Sequence, residues 1–595
     1  MAHSSMLTAS VPKWDFIKVH GKGISNRTIL NRRFHVVQVQ AQTTKLVATA
    51  NVSDQKIVRR YANYHPPIWE YDYIQSIKSD YLGKSCNEQA MKLVGEVRTM
   101  LDKVMDPLEM LELVDSLQRL GLAYHFENET KRILESIVKV NQSNVGWKKN
   151  NLHATALEFR LLRQHGYKVA QEVFSSFMDE TGDFRAGLNE DCKGLLNLYE
   201  ASFFSVEGEN ILEKARDFAT KHLKEYVKQK NKDEYLSMLV EHALDNPLHW
   251  RVLRLEARWF IDVYERQENR IPILLELAKL DFNIVQAVHQ DDLRDTSKWW
   301  KDTGLGQKLS FARDRLMENF LWTVGVVFDP KLGNVRRNST KVNALITTID
   351  DVYDVYGTLD ELELFTQAVE RWEINSMDPL PEYMKICFLA LFNSVNIMAY
   401  DTLKEKGFDS LHFLKKAWAN LCKSYLLEAK WYYSGYTPTL QEYLDNAWIS
   451  ISAPLILTHA YLATNSTRKE CLECFDEYSN IIYCSSMILR LADDLGTSSD
   501  EIKRGDVPKS IQCYMHETGS SEEEARKHIR KLIDATWKKM NEDRIAHPPS
   551  SHTFVQIALN LARMAQCMYQ HGDGHGIEDH ETKDRVLSLL IFPIR

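Results

Sequence analysis

The chain has 595 residues, of which 44% are hydrophobic and 26% are charged, and its formal net charge is -8. A chain of this length is too long for one core and predicts at least two domains. Its acidic balance, with a pI near 6.2, argues against a general nucleic-acid-binding protein, which would carry a basic face. No run of about 18 uncharged apolar residues occurs, so no membrane-spanning helix is predicted.

The first fifty residues differ in composition from the rest of the chain. They hold seven Lys and Arg residues against a single acid, Asp15, and Ser and Thr are frequent in "HSSMLTAS" and "QAQTTKLVATA". This composition is typical of an organelle transit peptide. A disordered tail is the alternative, and in either case this segment is left out of the fold prediction.

From about residue 60 onward the hydrophobic pattern is helical. Segments such as "PLEMLELVDSLQRLGLAYHFENETKRILESI" place apolar residues three and four positions apart. Pro and Gly lie between the periodic segments, for example at Pro107, Gly166 and Pro379, which is typical of helix boundaries. The chain is therefore predicted to be all-α, with a seam near 260–270.

Three aspartates are crowded into the apolar run "TTIDDVYDVYGTLDELELF". On a helix Asp350 and Asp354 share a face, whereas Asp351 points about 100° away and can support the site from behind. Two uncompensated carboxylates on a buried face require cations, and oxygen ligands favour Mg²⁺ or Mn²⁺. A metal site is predicted here, including Asp351 as its third carboxylate. A solvated acidic face is the alternative, which the apolar flanks disfavour.

A second acidic stripe occurs in "RLADDLGTSSDEIKRGD". Asp493, Thr497 and Glu501 are spaced by four residues, so two carboxylates and a hydroxyl line one helical face. Asp494 falls off that face and is predicted to be a structural hydrogen-bonding residue. The two stripes together predict divalent ions and, through them, a negatively charged partner.

Basic residues flank both acidic stripes. Arg313 and Arg315 lie in "FARDRLMENFLW", Arg490 precedes Asp493 by one turn, and Lys509 follows the second stripe. Arginine forks suit phosphate oxygens. Each residue alone would usually be a surface ion-pair partner, but beside two acidic helices they predict a pyrophosphate clamp.

These motifs together resemble the plant terpene synthase family, and in detail its monoterpene synthases. The resemblance covers essentially the whole chain after the leader. It rests on "DDVYD", "DDLGTSSDE", "RDR" and "RRYANYHPPIW", in which eight residues separate Arg60 from Trp69. It implies a plastid leader at 1–52, an N-terminal helical domain at 53–265 and a class I catalytic helix bundle at 266–595.

The resemblance also implies roles for individual residues. Three metal ions would be bound by Asp350 and Asp354 on one side and by Asp493, Thr497 and Glu501 on the other. Contacts with the diphosphate or substrate would come from Arg313, Arg315, Arg490 and Lys509. Arg59 and Arg60 resemble the tandem arginines of an N-terminal strand that folds over the closed site.

The interior of the predicted site would need a dry aromatic wall to protect a carbocation from water. Trp322 is placed for a cation–π contact, and Tyr569 and His575 in "MYQHGDGHG" resemble late-sequence pocket residues. His575 could take the final proton, although a His/Asp metal site in "HGDGHGIEDH" is the alternative. Asn343 precedes Asp350 by two helical turns and could position water.

The substrate implied is geranyl diphosphate, cyclised through linalyl diphosphate and the α-terpinyl cation to a limonene, α-terpineol or 1,8-cineole type of product. An acyclic product such as linalool or myrcene is an alternative, as is a sesquiterpene synthase acting on farnesyl diphosphate. An isoprenyl chain-elongating transferase and a non-catalytic helical scaffold are further alternatives. A monomer without nucleic-acid or membrane partners is expected.

Overall fold

The computed structural model describes residues 59–143, 146–229, 233–464, 479–546, 552–575 and 580–595. The predicted leader at 1–52 lies outside the described residues. Over the described ranges the chain is helical, and the extended pairing found there is an isolated bridge between Met178 and Phe184. The prediction of an all-α fold is confirmed.

The helices form a nearly continuous series along both halves of the chain. The α-helices before the predicted seam are α1 (Tyr71–Ser76), α2 (Lys84–Leu101), α3 (Pro107–Arg119), α4 (Glu127–Ser143), α5 (Leu152–Gln164), α6 (Cys192–Ser202), α7 (Asn210–Val227), α8 (Glu234–Asp245) and α9 (Leu253–Glu265). Those after it are α10 (Pro272–Thr303), α11 (Leu305–Lys308), α12 (Leu316–Val326), α13 (Gly333–Asp351), α14 (Leu359–Arg371), α15 (Glu382–Lys406), α16 (Leu411–Ser434), α17 (Leu440–Ser450), α18 (Ala453–Thr464), α19 (Ser479–Arg504), α20 (Ser510–Thr518), α21 (Glu522–Ala546), α22 (His552–Met568) and α23 (His580–Val586). Two π-helical turns span Val352–Tyr356 and Leu587–Ile591. Short 3₁₀ turns span Asp80–Leu82, Ala123–His125, Gln171–Phe177, Ala186–Glu190, Leu248–Trp250, Pro330–Leu332 and Ile374–Met377.

The helix ends follow local chemistry that is visible in the sequence. Asp106 accepts hydrogen bonds from the first backbone N–H groups of α3, and Pro107 occupies the first helical position. Gly304 ends α10 in the left-handed conformation with φ 67°, which a glycine adopts at no steric cost. Pro and Gly therefore mark helix boundaries, as predicted.

The core consists of two hydrophobic clusters. The smaller one joins α5 to α8 and includes Phe159, Phe174 and Leu223. The larger one runs through both halves of the chain, from Ile74 to Ile594. A break between α9 and α10 falls at residues 266–271, within the predicted seam, but the larger cluster crosses it, so the domain boundary at 265 stays a prediction.

Two helical stretches are long and apolar enough to cross a membrane by length and composition alone: Glu382–Lys406 and Leu440–Thr464. The second is 72% buried inside the protein and the first is 39% buried. Core helices of soluble proteins pass the same test, so these stretches are weak support for a membrane segment. The expected absence of a membrane partner stays a prediction.

The helices of the C-terminal half close a ring. α12 packs against α13, α13 against α18, α18 against α19, α19 against α22, and α22 returns to α12. A ring of helices leaves a central space that the inward-facing side chains line. The two acidic motifs lie on α13 and α19, on different sides of this space.

His459 on α18 should make the stability of the fold sensitive to acid. It is buried, its Nε2 accepts a hydrogen bond from Trp418 Nε1 at 3.1 Å, and burial lowers its pKa to about 3. Below about pH 6.5 the imidazole is protonated in the unfolded chain but stays neutral in the folded protein. The free energy of unfolding should therefore fall by up to about 1.4 kcal/mol per pH unit between pH 6.5 and 3 because of this group. We expect His459→Gln to flatten that loss in urea titrations at several pH values. The same change at exposed His412 should not alter the slope.

Candidate active site

The ring of helices encloses a cavity of about 170 Å³, here called the inner cavity. Its wall carries the large apolar side chains of Trp322, Val326, Ile346, Ile456, Leu489 and Leu561, with polar side chains such as Asn319, Thr323 and Thr347 among them. Its opening is charged and is lined by Arg313, Asp350, Asp354, Arg490, Asp493, Thr497 and Lys509. An adjoining space of about 480 Å³, here called the outer cleft, shares Arg313, Asp350, Asp354 and Lys509 with it. The two spaces thus combine a mixed apolar and uncharged polar interior with a charged mouth.

The first acidic motif lies where α13 ends. The spacing predicted an α-helix through Asp354, but the α-helix ends at Asp351 and a π-helical turn follows. Asp350 and Asp354 nevertheless both line the mouth of the cavity. Enclosure by the protein and the charge of Asp350 raise the pKa of Asp354 well above its ordinary value, although its side chain remains accessible from the outer cleft. A cation between the two groups would relieve that repulsion.

Asp351 lies behind the wall of the cavity. Its side chain is fully buried and accepts the backbone N–H of Arg313 at 2.7 Å and the Nε–H of the same residue at 3.0 Å. Burial raises the pKa of this carboxyl, whereas the Arg313 guanidinium opposes the rise. The inclusion of Asp351 among the metal ligands is corrected here, because both of its oxygens are committed to Arg313.

The second acidic motif faces the first across the mouth. Asp493 and Thr497 on α19 line the inner cavity. Burial raises the pKa of Asp493 to about 6, against the effect of Arg490, which forms an ion pair with it. The side chain of Glu501 lies outside the described residues.

Asp494 has the structural role that its position on the helix predicted. It is fully buried and accepts hydrogen bonds from the Tyr443 hydroxyl at 3.0 Å and the Ser510 backbone N–H at 3.1 Å. Arg490 pairs with it at 2.8 Å. Asp494 therefore ties α19 to α17 and α20 and holds Arg490 at the mouth.

The predicted phosphate-binding residues separate into two groups. Arg313, Arg490 and Lys509 line the inner cavity, and Lys509 Nζ lies 3.8 Å from Glu428. Arg315 does not: it is buried and donates to the backbone carbonyl of His65 at 3.0 Å. The prediction of Arg315 as a substrate contact is therefore corrected, since it holds the N-terminal chain instead.

Residues 59–65, here called the N-terminal segment, cross the mouth. Arg59 forms a bidentate ion pair with Glu361, at 2.8 Å for both bonds, and donates to the Tyr356 carbonyl at 3.0 Å. Arg60 pairs with Asp506 at 2.9 Å and lies over the ring of Tyr432. Arg60 lines the outer cleft, but neither guanidinium lines the inner cavity.

The interior of the cavity holds the aromatic residues predicted for it. Trp322 lies 5.9 Å from Tyr569 and 6.2 Å from His575 between ring centroids. His575 Nε2 is 3.0 Å from the Asn319 side-chain oxygen, and burial together with Arg313 lowers its pKa to about 4. His575 is therefore neutral at physiological pH and can accept a proton.

Asn343 presents an unsatisfied oxygen to the cavity. Its Nδ2 donates to the Thr323 hydroxyl at 3.3 Å, which orients the amide. Its Oδ1 is buried and has no hydrogen-bond partner within the described part of the protein. A buried acceptor without a partner is costly, so a water molecule or a polar substrate group is the natural occupant beside it.

Several cavity residues were not predicted from the sequence. They are Asn319, Thr323, Val326, Ser339, Ile346, Thr347, Tyr425, Ser450, Ile451, Ser452, Ile456, Leu489, Leu561 and Asp573. Ser452 has φ 67° and separates α17 from α18, and the only local signal for this break is Pro454 shortly after it. Asp573 lies in the "HGDGHG" segment, for which the sequence offers a His/Asp metal site as an alternative.

The donor set at the mouth fits a hard divalent ion. Among the side chains that the structure describes, no three of His, Cys, Asp or Glu form a group able to hold an ion by themselves. Mg²⁺ commonly binds one or two carboxylates and completes its shell with water and substrate phosphate. The pair Asp350 and Asp354, and Asp493 with Thr497 opposite, suit that pattern. The alternative His/Asp site at 571–580 receives no support from the described side chains.

Two family models match the chain. The model described as "Terpene synthase family, metal binding domain" matches residues 301–539, and "Terpene synthase, N-terminal domain" matches residues 68–244. Curated relatives are similar over nearly their full length. The chain is 61% identical to a chloroplastic myrcene synthase of Quercus ilex over 99% of this chain and 98% of the relative. It is 65% identical to a (-)-alpha-terpineol synthase of Vitis vinifera over 91% of this chain and 92% of the relative.

Solved structures share the fold. A limonene synthase with 2-fluorolinalyl diphosphate superposes with a TM-score of 0.88 at 46% identity, covering 90% of this chain and 100% of that one. The isoprene synthase of grey poplar (Populus x canescens), in complex with three Mg²⁺ ions and dimethylallyl-S-thiolodiphosphate, superposes with a TM-score of 0.81 at 48% identity. That match covers 89% of this chain and 99% of the other.

Proposed function

Because this chain belongs to the terpene synthase family, as its sequence motifs predicted, we propose that it is a monoterpene synthase that ionises geranyl diphosphate and releases diphosphate. The observation that carries the proposal is the charged mouth of the inner cavity. There the carboxylates of α13 and α19 meet the cations Arg313, Arg490 and Lys509. The curated relatives that act on ten-carbon substrates support the monoterpene class. The enzyme is a lyase of the class I type.

The residues that would hold the metal face each other across the mouth. Asp350 and Asp354 would bind on the α13 side, and Asp493 and Thr497, with Glu501, on the α19 side. Bound Mg²⁺ or Mn²⁺ would supply Lewis-acid stabilisation of the departing diphosphate. The isoprene synthase complex with three Mg²⁺ ions supports three ions as the expected number.

The cations of the mouth would stabilise the leaving group as its charge develops. Arg313 is held by the buried Asp351 and Arg490 by the buried Asp494, neither of which is a proposed metal ligand. Groups that are already oriented need little reorganisation during the reaction. Their position at the boundary between the interior and the outer cleft would direct the diphosphate outward and the hydrocarbon inward.

The interior would protect the allylic cation. Trp322 presents an aromatic face in a dehydrated cavity, where a cation–π contact contributes on the order of 2 kcal/mol. We propose that the chain cyclises its substrate through linalyl diphosphate and the α-terpinyl cation, with neutral His575 as the acceptor of the final proton. Asn343 could hold water close to the cation, which would favour an alcohol or ether product.

Incubation with geranyl and farnesyl diphosphates, with and without Mg²⁺, tests the proposal. We expect volatile ten-carbon products from geranyl diphosphate only when the metal is present, identified by chromatography and mass spectrometry of the headspace. Products from farnesyl diphosphate alone would favour a sesquiterpene synthase. No product from either, with a retained helical circular dichroism spectrum, would favour a non-catalytic scaffold. The identity of the products separates a cyclic from an acyclic synthase.

Removal of Arg59 should impair cyclisation more than ionisation. This arginine joins the N-terminal segment to Glu361 and to the carbonyl of Tyr356, the last residue of the π-helical turn that carries Asp354. Without that tie, water should reach the cation before the ring closes. We expect Arg59→Ala to lower the cyclic fraction of products about threefold, which corresponds to about 0.6 kcal/mol. Arg132→Ala, which removes an exposed ion pair with Asp102, is the matched control, and an unchanged product profile in Arg59→Ala would contradict the cyclic assignment.

Residues 1–52 are proposed to direct the protein to the plastid. The composition of this leader and the chloroplastic names of relatives support that location. The division into an N-terminal domain at 53–265 and a catalytic domain at 266–595 is likewise proposed.

A further inference from the structure

The N-terminal segment contributes two aromatic side chains to the outer cleft, Tyr61 and Tyr64, and Tyr64 is the one that lies on Arg313. Tyr64 lines the outer cleft, and the guanidinium carbon of Arg313 lies 5.2 Å from the centroid of its ring. On its other sides Arg313 is held by Asp351 through Nε at 3.0 Å and by Asp350 through Nη2 at 2.6 Å. Arg313 is therefore enclosed by two carboxylates and one aromatic face.

The backbone on both sides of Tyr64 is constrained. Asn63 has φ 53°, a left-handed conformation that asparagine tolerates better than most residues. The carbonyl of His65 accepts a hydrogen bond from Arg315 at 3.0 Å. A turn on one side and an anchor on the other thus direct the Tyr64 ring onto Arg313, and the "RDR" loop is the surface on which the segment docks.

We propose that Tyr64 is a positioning residue that keeps the Arg313 guanidinium oriented for the departing diphosphate. The proposal rests on the proposed function. A metal ion bound to Asp350 would compete with Arg313 Nη2 for that carboxylate, leaving the arginine anchored only through its backbone N–H and Nε to Asp351. The planar guanidinium would then be held through its Nε edge alone, with its Nη edge directed into the mouth without a partner on Asp350. The aromatic face of Tyr64 restrains the guanidinium plane by cation–π attraction and covers it from water.

The first experiment compares Tyr64→Leu with Tyr64→Phe. Leucine removes the aromatic face, whereas phenylalanine keeps it. With geranyl diphosphate and Mg²⁺ we expect about a tenfold lower kcat in Tyr64→Leu with little change in KM, and kcat within about twofold of the parent in Tyr64→Phe. Tyr73→Leu is the matched control, because it also replaces a tyrosine by leucine, but this exposed ring of α1 contacts Trp69 rather than Arg313. Equal kcat in Tyr64→Leu and Tyr73→Leu, or equal losses in the two Tyr64 variants, would overturn the proposal.

A double-mutant cycle tests whether Tyr64 acts through Arg313. Lysine at position 313 retains charge but lacks the planar group that stacks on a ring. In an Arg313→Lys background, Tyr64→Leu should lower kcat by less than about twofold, because lysine has no planar group for the ring to orient. A full tenfold loss in both backgrounds would indicate a structural role only and would overturn the proposal.

Binding of inorganic diphosphate with Mg²⁺, measured by calorimetry, separates this proposal from the proposed function. If the parent protein binds diphosphate but makes no terpene, the proposed function fails while the role of Tyr64 is still tested. Free diphosphate carries the charge that the substrate develops only as the bond breaks, so Tyr64→Leu should bind it about tenfold more weakly than Tyr64→Phe and Tyr73→Leu, even with KM little changed. Equal affinities in all variants would overturn the role of Tyr64, and no binding by the parent would overturn both proposals.

Discussion

Substitution of Asp354 by alanine is expected to lower the turnover of geranyl diphosphate on the order of 10³-fold while leaving the fold intact. Asp354 lies on the π-helical turn at the mouth, where its side chain is accessible from the outer cleft. It is proposed as a metal ligand, and metal stabilisation of a leaving group contributes several kcal/mol to the transition state. The rate of product formation at saturating Mg²⁺ is the measurement.

The stability of the Asp354→Ala protein should equal or exceed that of the parent. Enclosure and the charge of Asp350 disfavour the ionised form of Asp354, so removal of its carboxylate relieves a repulsion rather than a favourable contact. Asp360→Asn is the matched control, since this exposed acid of α14 is six residues away and lines neither the inner cavity nor the outer cleft. An active Asp354→Ala enzyme would remove the basis of the metal assignment, and an inactive but unfolded one would show that the carboxylate has a structural role.

Substitution of Arg313 by glutamine is expected to abolish activity and also to destabilise the protein by about 3–5 kcal/mol. The cause is Asp351, which is fully buried and accepts two of its hydrogen bonds from Arg313. Without the guanidinium, a buried carboxylate would lose its compensating charge. Urea denaturation at pH 8 measures the loss. Lowering the pH towards 5 should recover part of it, because protonation of Asp351 removes the unpaired charge.

The double variant Arg313→Gln with Asp351→Asn separates the two effects. A neutral amide pair should regain most of the lost stability, because no buried charge remains. Activity should stay absent, because the diphosphate would still lack its cation. Recovery of turnover in the double variant would show that Arg313 serves only to compensate Asp351.

Four-residue spacing was enough to predict which acidic residues of α19 share the face that lines the inner cavity. Four-residue intervals place side chains on one helical face whatever the surrounding fold, which is why Asp493 and Thr497 line the cavity and Asp494 does not. The all-α fold was predictable for a similar reason, since a period near 3.6 over many segments leaves few other ways to bury the apolar positions.

The sequence alone could not distinguish neighbouring residues of the same type. Arg313 and Arg315 are two positions apart, and Asp350 and Asp351 are adjacent, yet one of each pair lines the cavity and the other is buried behind it. The separation follows from partners distant in the chain, such as the His65 carbonyl for Arg315 and the Arg313 guanidinium for Asp351. Glu361 and Asp506, which hold Arg59 and Arg60, are likewise remote in sequence.

Helical periodicity and side-chain chemistry, both local properties, thus determined from the sequence that this protein is a helical bundle with two acidic stripes and a set of cations beside them, which we propose bind phosphate. Only the tertiary structure decided which of those charges face the substrate, because burial and pairing depend on what the rest of the fold brings within about 4 Å of each group. The tertiary structure also decided the orientation of Asn343 towards Thr323 and the placement of Tyr64 on Arg313, since each requires two segments that meet only in the folded chain.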